Sequence, residues 1–274
     1  MRLIDLVFLQ PDSPPLYTYF RSSAAYRVRI ALGLKGLPYD SHAVHLVKDG
    51  GQQHTSASRA LNPQALVPSL QTATAPTDGS ATLTQSLAIM EYLEEAYPQA
   101  PALLPADLLG RARVRALAQV VACEIHPLNN LRVLRYLTQD MGLSSQQKDA
   151  WYAHWIALGL GALEEMLATS NTTGQFCHGD SPTLADCCLV PQVFNARRFG
   201  CPTQGYPTIE RIVATCEQLP AFAQAAPGQP PDAESKSALA LLAPLPAARM
   251  LPCAPLPSLL LPNRASPSSC WHCC

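Results

Sequence analysis

Two adjacent serines, Ser22 and Ser23, follow a short aromatic stretch and stand directly before a segment with helical spacing of apolar residues. Serine is a preferred helix N-cap, and the first turn of a helix offers unpaired N–H groups and the positive end of the helix dipole. A hydroxyl at this position can donate to a thiolate or a carboxylate, and Arg27 adds a positive charge one turn into the helix. The competing interpretation is structural: one serine caps the helix and the other has no role.

The elements that would position these serines alternate between strand and helix. We expect a strand at 16–20, a helix at 24–35, extended segments at 39–46, 67–70 and 81–84, and a helix at 86–97. Gly36 is well placed to end the first helix, and Pro98 stops the second. This order predicts a small α/β domain.

The rest of the chain reads as helical. Amphipathic segments lie at about 107–122, 127–138, 145–169, 183–196 and 208–217. Thr183 and Asp186 form a capping-box pattern, which indicates the start of a helix and no chemistry. The predicted organisation is an N-terminal extension at 1–15, an α/β domain at 16–100, an all-α domain at 105–234 and a tail at 235–274.

Composition excludes several classes of function. The 274 residues contain 19 Lys and Arg against 20 Asp and Glu, which argues against a nucleic-acid surface. No apolar run approaches the roughly 20 residues of a membrane span, and Asp5 interrupts the apolar N-terminus, so we expect a cytoplasmic protein. The tail at 235–274 contains seven prolines and no acidic residue, which predicts a low-complexity, disordered segment.

Common catalytic motifs are missing from the sequence. It contains no phosphate-binding loop, dinucleotide fingerprint, zinc-protease helix or nucleophile elbow. No Cys-x-x-Cys follows the first strand, and the cysteines and histidines have no ordinary zinc spacing, so we expect no metal. Cys187 and Cys188 lie in an apolar stretch and are expected to be buried packing residues.

Several motifs in the right order resemble one family. They lie at residues 17–32, which include Arg21-Ser22-Ser23, and at 48–53, 61–68, 85–89, 91–95, 125–131, 189–193 and 229–233. Together they resemble the zeta-class glutathione transferases, the maleylacetoacetate isomerases, over about residues 16–234. The resemblance implies the glutathione transferase architecture: an α/β thioredoxin-like N-terminal domain and an all-α C-terminal domain.

The resemblance also implies where glutathione, the cofactor, would bind. Val67 and Pro68 resemble the cis-proline corner that pairs with the cysteinyl part of glutathione. Gln85 and Ser86 resemble the element that holds the γ-glutamyl carboxylate. Further contacts would come from Gln53, His126 and Asn130.

The implied reaction is a cis–trans isomerisation of maleylacetoacetate to fumarylacetoacetate, in the catabolism of tyrosine and phenylalanine. Ser22 and Ser23 would lower the thiol pKa of glutathione, and the thiolate would add to the double bond and leave after rotation. Arg27 would be catalytic as well and, with Arg198, would bind the dicarboxylate substrate. Arg132 also falls where the family places a ligand contact, but Arg132 and Arg197 are assigned to solvated helix faces. The family resemblance further implies a homodimer.

Three departures from the family pattern remain, one of which is the tail at 235–274, and three alternative functions stay open. Ala24 stands where many family members carry Cys, so the serines must suffice without a protein thiol. The segment at 71–81 is longer than the corresponding hairpin of the family. The same site could serve maleylpyruvate isomerisation or glutathione-dependent conversion of α-halo acids. The chain could also be a non-catalytic binding protein with this fold.

Overall fold

The structure is a computed structural model that describes residues 13–72, 81–231 and 233. These residues all belong to the first of two units into which the chain divides, Met1–Ala243 and Pro244–Cys274. Most of the predicted extension at 1–15, most of the long hairpin segment at 71–81 and the predicted tail at 235–274 lie outside the described residues.

A four-stranded mixed sheet forms the first part of the described chain. Its strands are β1 (Pro15–Thr18), β2 (Asp40–Ala43), β3 (Ser69–Thr72) and β4 (Ala81–Thr84), in the order β2-β1-β3-β4. β1 pairs parallel to β2, whereas β3 pairs antiparallel to both β1 and β4. The parallel pair needs a crossover connection, which the intervening helix supplies. In the register, Leu16 lies opposite Leu70, and both side chains are buried.

Three helices accompany the sheet: α1 (Ser23–Leu34), α2 (Ser56–Leu61) and α3 (Ser86–Ala96). α1 begins at the N-cap Ser22, whose Oγ accepts from the N–H of Ala25 at 3.2 Å. Short 3₁₀ turns at Lys48–Gly50 and Gln52–His54 lead into α2. The sequence predicted α1 and α3 to within a residue or two at each end and missed α2.

The remainder is helical, as predicted. Its helices are α4 (Leu108–Gln119), α5 (Leu131–Arg135), α6 (Ser145–Ala168), α7 (Leu184–Arg198), α8 (Pro207–Glu217) and α9 (Pro220–Ala225). π-Helical turns at Val120–Ile125 and Tyr136–Asp140 extend α4 and α5. The sequence did not predict α9.

The predicted capping box at the start of α7 is confirmed. The Asp186 carboxylate accepts from the N–H and the hydroxyl of Thr183, both at 2.8 Å, and from the N–H of Cys177 at 2.9 Å. Burial raises the pKa of Asp186, while these hydrogen bonds act in the opposite direction. Cys187 and Cys188 are buried free thiols, as expected from their apolar surroundings.

α1 occupies the centre of the described fold. It packs against α3, α7 and α9. The Tyr26 hydroxyl donates to the carbonyl of Phe222 at 3.3 Å, and Arg29 Nε donates to the carbonyl of Ala225 at 3.1 Å. The Arg29 guanidinium also donates to the carbonyl of Phe20, so this buried cation is held by backbone oxygens from both ends of the described chain.

Within the described residues, no helix is long and apolar enough to cross a membrane.

Candidate active site

A cavity of about 400 Å³ lies between the sheet-containing part and the helical part of the first unit. Seven predicted site residues line it: Ser22, Ser23, Gln53, Val67, His126, Asn130 and Arg198. The volume falls within the usual range for small-molecule sites. The cavity therefore brings together residues that are far apart in the sequence.

Four predicted site residues do not line the cavity. Pro68 follows Val67 through a peptide bond that is cis, as predicted. Gln85 lies next to the cavity, because its Nε2 donates to Oε1 of the lining residue Gln64 at 2.7 Å. Ser86 is buried at the start of α3. Arg27, the predicted substrate contact, is buried within the wall because α3 and α7 cover this side of α1, so a direct contact with substrate stays a prediction.

The two serine hydroxyls are held in complementary ways. Ser22 Oγ caps α1 by accepting from Ala25, and Ser23 Oγ accepts from Nδ2 of Asn195. Within the described residues, neither hydroxyl donates to a protein acceptor, so each hydrogen remains available to a ligand. The structural and functional interpretations of Ser22 are therefore compatible.

The loop before α2 forms one side of the cavity. Leu46 lies in this loop, and its carbonyl accepts from Gln53 Nε2 at 3.3 Å and from Arg135 Nη2 at 3.2 Å. Gly51 has a φ of 106°, and a Cβ there would lie 2.6 Å from the amide nitrogen of Gln53. Glycine is therefore needed at this position for the loop conformation and for the Gln53 side chain.

Several buried amide oxygens of the lining residues have no partner in the part of the chain that the structure describes. They are Oε1 of Gln53 and Gln192 and Oδ1 of Asn129 and Asn195. Buried polar atoms in proteins are nearly always hydrogen-bonded. The wall of the cavity therefore contains four acceptor oxygens that no donor of the described residues satisfies.

The cavity is also strongly cationic. Arg21, Arg132, Arg135 and Arg198 line it, and among the described residues Asp140 is the one acidic residue that does so. Burial, followed by the charge of Arg21, lowers the pKa of Arg198, which indicates that two guanidinium groups lie close together. Such a pair favours a bound anion.

The two remaining arginines, Arg197 and Arg132, lie in different surroundings. Arg197 lies outside the cavity and forms ion pairs with Glu210 and with Glu217, the latter at 3.2 Å, as expected for a solvated face. Arg132 is exposed, yet it lines the cavity, because it follows the N-cap Asn130 at the cavity edge. Arg132 is thus exposed, as expected for a solvated face, and also lies where the family resemblance implies a ligand contact.

His126 lies on the cavity wall, directly after a π-helical turn. The residue is partly exposed, and burial lowers its pKa to about 3, with smaller contributions from the charges of Arg27 and Arg132. The imidazole is therefore neutral near pH 7. Its Nε2 lies 3.4 Å from Nδ2 of Asn130.

Sequence reasoning missed several lining residues, and the signal available for each was different. Arg21 directly precedes the two serines, so its position could have suggested a role. Asn195 and Gln192 lie on α7 without a recognisable motif of their own, and only the fold brings them to the serines.

Comparison with known proteins agrees with this geometry. Residues 16–101 match the family model "Glutathione S-transferase, N-terminal domain". The probable maleylacetoacetate isomerase of Vibrio cholerae is 52% identical over 218 residues, which cover 80% of this chain and 97% of that protein. The holo structure of a maleylpyruvate isomerase, a bacterial zeta-class glutathione S-transferase, is 49% identical with a TM-score of 0.75 and covers 80% of this chain and 100% of its own.

A maleylacetoacetate isomerase structure from Anaeromyxobacter dehalogenans, with glutathione in its active site, is 46% identical with a TM-score of 0.72. The match covers 82% of this chain and 100% of that one. Identity at this level over nearly the full length of each relative shows a common family as well as a common fold. The chain belongs to the glutathione S-transferase family and, within it, to the zeta class that contains the maleylacetoacetate isomerases.

Proposed function

We propose that the protein is a glutathione-dependent isomerase that converts maleylacetoacetate to fumarylacetoacetate. The observation that carries this proposal is the cavity, which places the hydroxyls of Ser22 and Ser23 at the start of α1 close to a set of arginines. Glutathione supplies the nucleophile, and the arginines suit a substrate with two carboxylates. The names of the relatives support the same reaction.

Glutathione would lie along the sheet-containing side of the cavity. Its thiol would face Ser22 and Ser23, and its γ-glutamyl carboxylate would lie at the N-terminus of α3, beside Gln85 and Ser86. The backbone of Val67, which makes no hydrogen bond within the described residues, would pair with the cysteinyl residue. The remaining contacts of the peptide would come from Gln53, His126 and Asn130, the first of which has an unpartnered buried oxygen.

The reaction needs a thiolate at neutral pH. Two hydroxyl donors and the positive end of α1 stabilise the thiolate and so lower the thiol pKa. The thiolate attacks one carbon of the cis double bond, a C–S bond forms, and the π electrons move into the adjacent carbonyl to give an enolate. After rotation about the new single bond, the enolate collapses, the C–S bond breaks and glutathione thiolate leaves.

The substrate carboxylates would bind to arginines on the helical side. Arg198 at the end of α7 is the predicted contact, and Arg21 and Arg132 line the same cavity. Guanidinium groups bind carboxylates through paired hydrogen bonds, which fix the orientation of the substrate.

Maleylpyruvate isomerisation is the second candidate. The zeta-class structure that is 49% identical to this chain is a maleylpyruvate isomerase. Both substrates are cis unsaturated dicarboxylates with a neighbouring ketone, so the same thiolate chemistry serves either one. The length of the substrate relative to the positions of the arginines would decide which of the two substrates is isomerised.

The protein would act as a cytoplasmic homodimer in tyrosine and phenylalanine catabolism. The family resemblance supports this arrangement, and Leu108 and Leu109 at the start of α4 are each 83% exposed, which suits a covered surface. Light scattering coupled to size-exclusion chromatography of the full chain gives the mass directly. A monomeric mass across micromolar concentrations contradicts the dimer, and cell fractionation tests the compartment.

The central experiment is a turnover assay of the purified full chain. Maleylacetoacetate and maleylpyruvate are supplied separately, each with and without glutathione, and fumaryl product is followed. We expect turnover of at least one substrate only when glutathione is present. No isomerisation of either substrate in excess glutathione contradicts the proposal, and glutathione binding without turnover would favour the non-catalytic alternative.

A further inference from the structure

A buried cation lies directly behind the first residue of α3. Arg27 on α1 is 2% exposed, and its Nη1 donates to Ser86 Oγ at 3.2 Å. Its Nε and Nη2 are buried and have no hydrogen-bond partner in the described part of the chain, where no carboxylate pairs with the guanidinium either. An unpaired buried guanidinium is unfavourable, so this arrangement points to an anion bound nearby.

The N-terminus of α3 is suited to binding the same anion. Its N-cap residue, Gln85, has a φ of 68° and makes no side-chain capping bond, and the first turn contains no acidic residue. The Gln85 side chain donates to Gln64 instead. The first amide groups of α3 and the positive end of its dipole are therefore left without a compensating group from the helix itself.

The Ser86 hydroxyl connects the two features. Because its oxygen accepts from Arg27, its single hydrogen is available to donate to a ligand. A hydroxyl that accepts from a cation becomes a stronger donor, since hydrogen bonds in a chain polarise one another. Arg27 can therefore strengthen and orient the Ser86 donor without reaching the cavity.

We propose that Arg27 is a positioning residue that acts through the Ser86 hydroxyl on the α-carboxylate of the γ-glutamyl residue of glutathione. The inference rests on the proposed function, because it takes glutathione as the ligand. Three titratable groups face Arg27 from neighbouring elements, namely Cys123, His126 and Cys188. Burial raises the pKa of Cys188 to about 11 and lowers that of His126 to about 3, so both are neutral near pH 7 and do not compensate the cation.

Calorimetric titration with three ligands tests this assignment. The ligands are glutathione, the analogue whose γ-glutamyl α-carboxylate is a primary amide, and the analogue whose glycyl carboxylate is a primary amide. The proteins are the full-length wild type, Arg27→Met and Ser86→Ala. Lys35→Met is the matched control, because Lys35 joins α1 to Glu94 of α3 at the opposite end of both helices, at 2.9 Å.

We expect the wild type to bind glutathione at least tenfold more tightly than the γ-glutamyl amide. Arg27→Met and Ser86→Ala should each reduce this ratio to about threefold or less and keep the ratio of glutathione to the glycyl amide unchanged. The effects of the two substitutions should not add in the double variant, since both act on one donor. Lys35→Met should retain the wild-type ratio even where its melting temperature falls.

The stability of the ligand-free protein gives an independent readout. Arg27→Met removes a buried charge that has no carboxylate partner within the described residues, so its melting temperature should equal or exceed that of the wild type. A clearly lower melting temperature, failure to fold, or equal weakening of all three ligands would mean that Arg27 is a packing residue and overturn the inference. Wild-type protein that binds none of the ligands would instead refute the proposed function.

Discussion

Asn195 on α7 donates through Nδ2 to the hydroxyl oxygen of Ser23 at the start of α1, although 172 residues separate the two. Ser23 is buried, and Asn195 is the one residue in the described part of the chain that donates to its hydroxyl oxygen, so Asn195 determines where the hydroxyl hydrogen can point. The helical part of the chain therefore helps to set the geometry of a serine that belongs to the sheet-containing part.

Substitution of Asn195 should impair the reaction through Ser23. In Asn195→Ala the hydroxyl can rotate away from the thiol, and we expect kcat to fall by about tenfold. Asn195→Asp should be worse, because a carboxylate accepts from the hydroxyl and draws its hydrogen away from glutathione. The thiol pKa of bound glutathione, measured by thiolate absorbance, should rise in both variants. An unchanged thiol pKa in Asn195→Asp would contradict this role.

Ser22→Ala and Ser23→Ala should each lower turnover by roughly 10- to 100-fold, a loss of about 1.4–2.8 kcal/mol of transition-state stabilisation. The two variants should differ in stability, because Ser22 also caps α1 and loss of this cap lowers the free energy of unfolding by about 1 kcal/mol. Steady-state kinetics and urea unfolding measure the two effects separately. Ser145→Ala, an exposed helix-start serine on α6, serves as the control. Normal turnover in both serine variants would rule out the thiolate assignment.

Arg198→Gln should weaken the dicarboxylate substrate specifically. We expect its KM for substrate to rise by about tenfold or more, with less than a twofold change in KM for glutathione, because Arg198 lies on the helical side of the cavity. Arg197→Gln on the same helix is the matched control, since its surface ion pairs lie outside the cavity and contribute little. Equal changes in both variants would show that Arg198 has no particular contact with substrate.

His126 should make the stability depend on pH in a predictable direction. Its native pKa of about 3 lies below the unfolded value near 6.5, so the unfolded chain takes up a proton that the native state does not. The contribution of the neutral His126 side chain to the free energy of unfolding is complete above pH 6.5 and is lost progressively as the pH falls toward 3. The wild type should therefore lose about 1–2 kcal/mol more than His126→Gln between pH 6.5 and pH 5. Parallel urea titrations of the two proteins at several pH values test this prediction. The same dependence of the free energy of unfolding on pH in both proteins would contradict it.

Removal of residues 235–274 should leave activity and melting temperature close to those of the full chain. All lining residues of the cavity lie between Tyr19 and Phe199, and the last described helix ends at Ala225. We expect kcat and KM to remain within twofold. A misfolded truncation would show that the tail is part of the folded unit, contrary to the prediction from its composition.

Much of the fold could be predicted because its signals are local. Ser22 and Gly36 bound the first helix in the sequence, and the Thr183–Asp186 box marks the start of α7. α2 and α9 were missed because each contains six residues, too few to show helical periodicity. Such short helices depend on packing against the rest of the chain more than on their own sequence.

The candidate site was less predictable because it depends on burial. Arg27 was predicted to contact the substrate, and arginine is mostly exposed in proteins. It is buried because α1 is covered on several sides, by α3, α7 and α9. The packing of α7 likewise brings Asn195 to Ser23, and the packing of α5 places Arg132 at the cavity. No local sequence pattern indicates how these helices pack.

The contacts between α1 and α9 also set an order of events during translation. Tyr26 and Arg29 each bond to a carbonyl 196 residues further along the chain. When α1 leaves the ribosome, the oxygens that accept from these two side chains have not yet been synthesised. The nascent sheet-containing half therefore carries an incompletely paired helix until α9 emerges, and incompletely folded chains are generally exposed to aggregation and to chaperones.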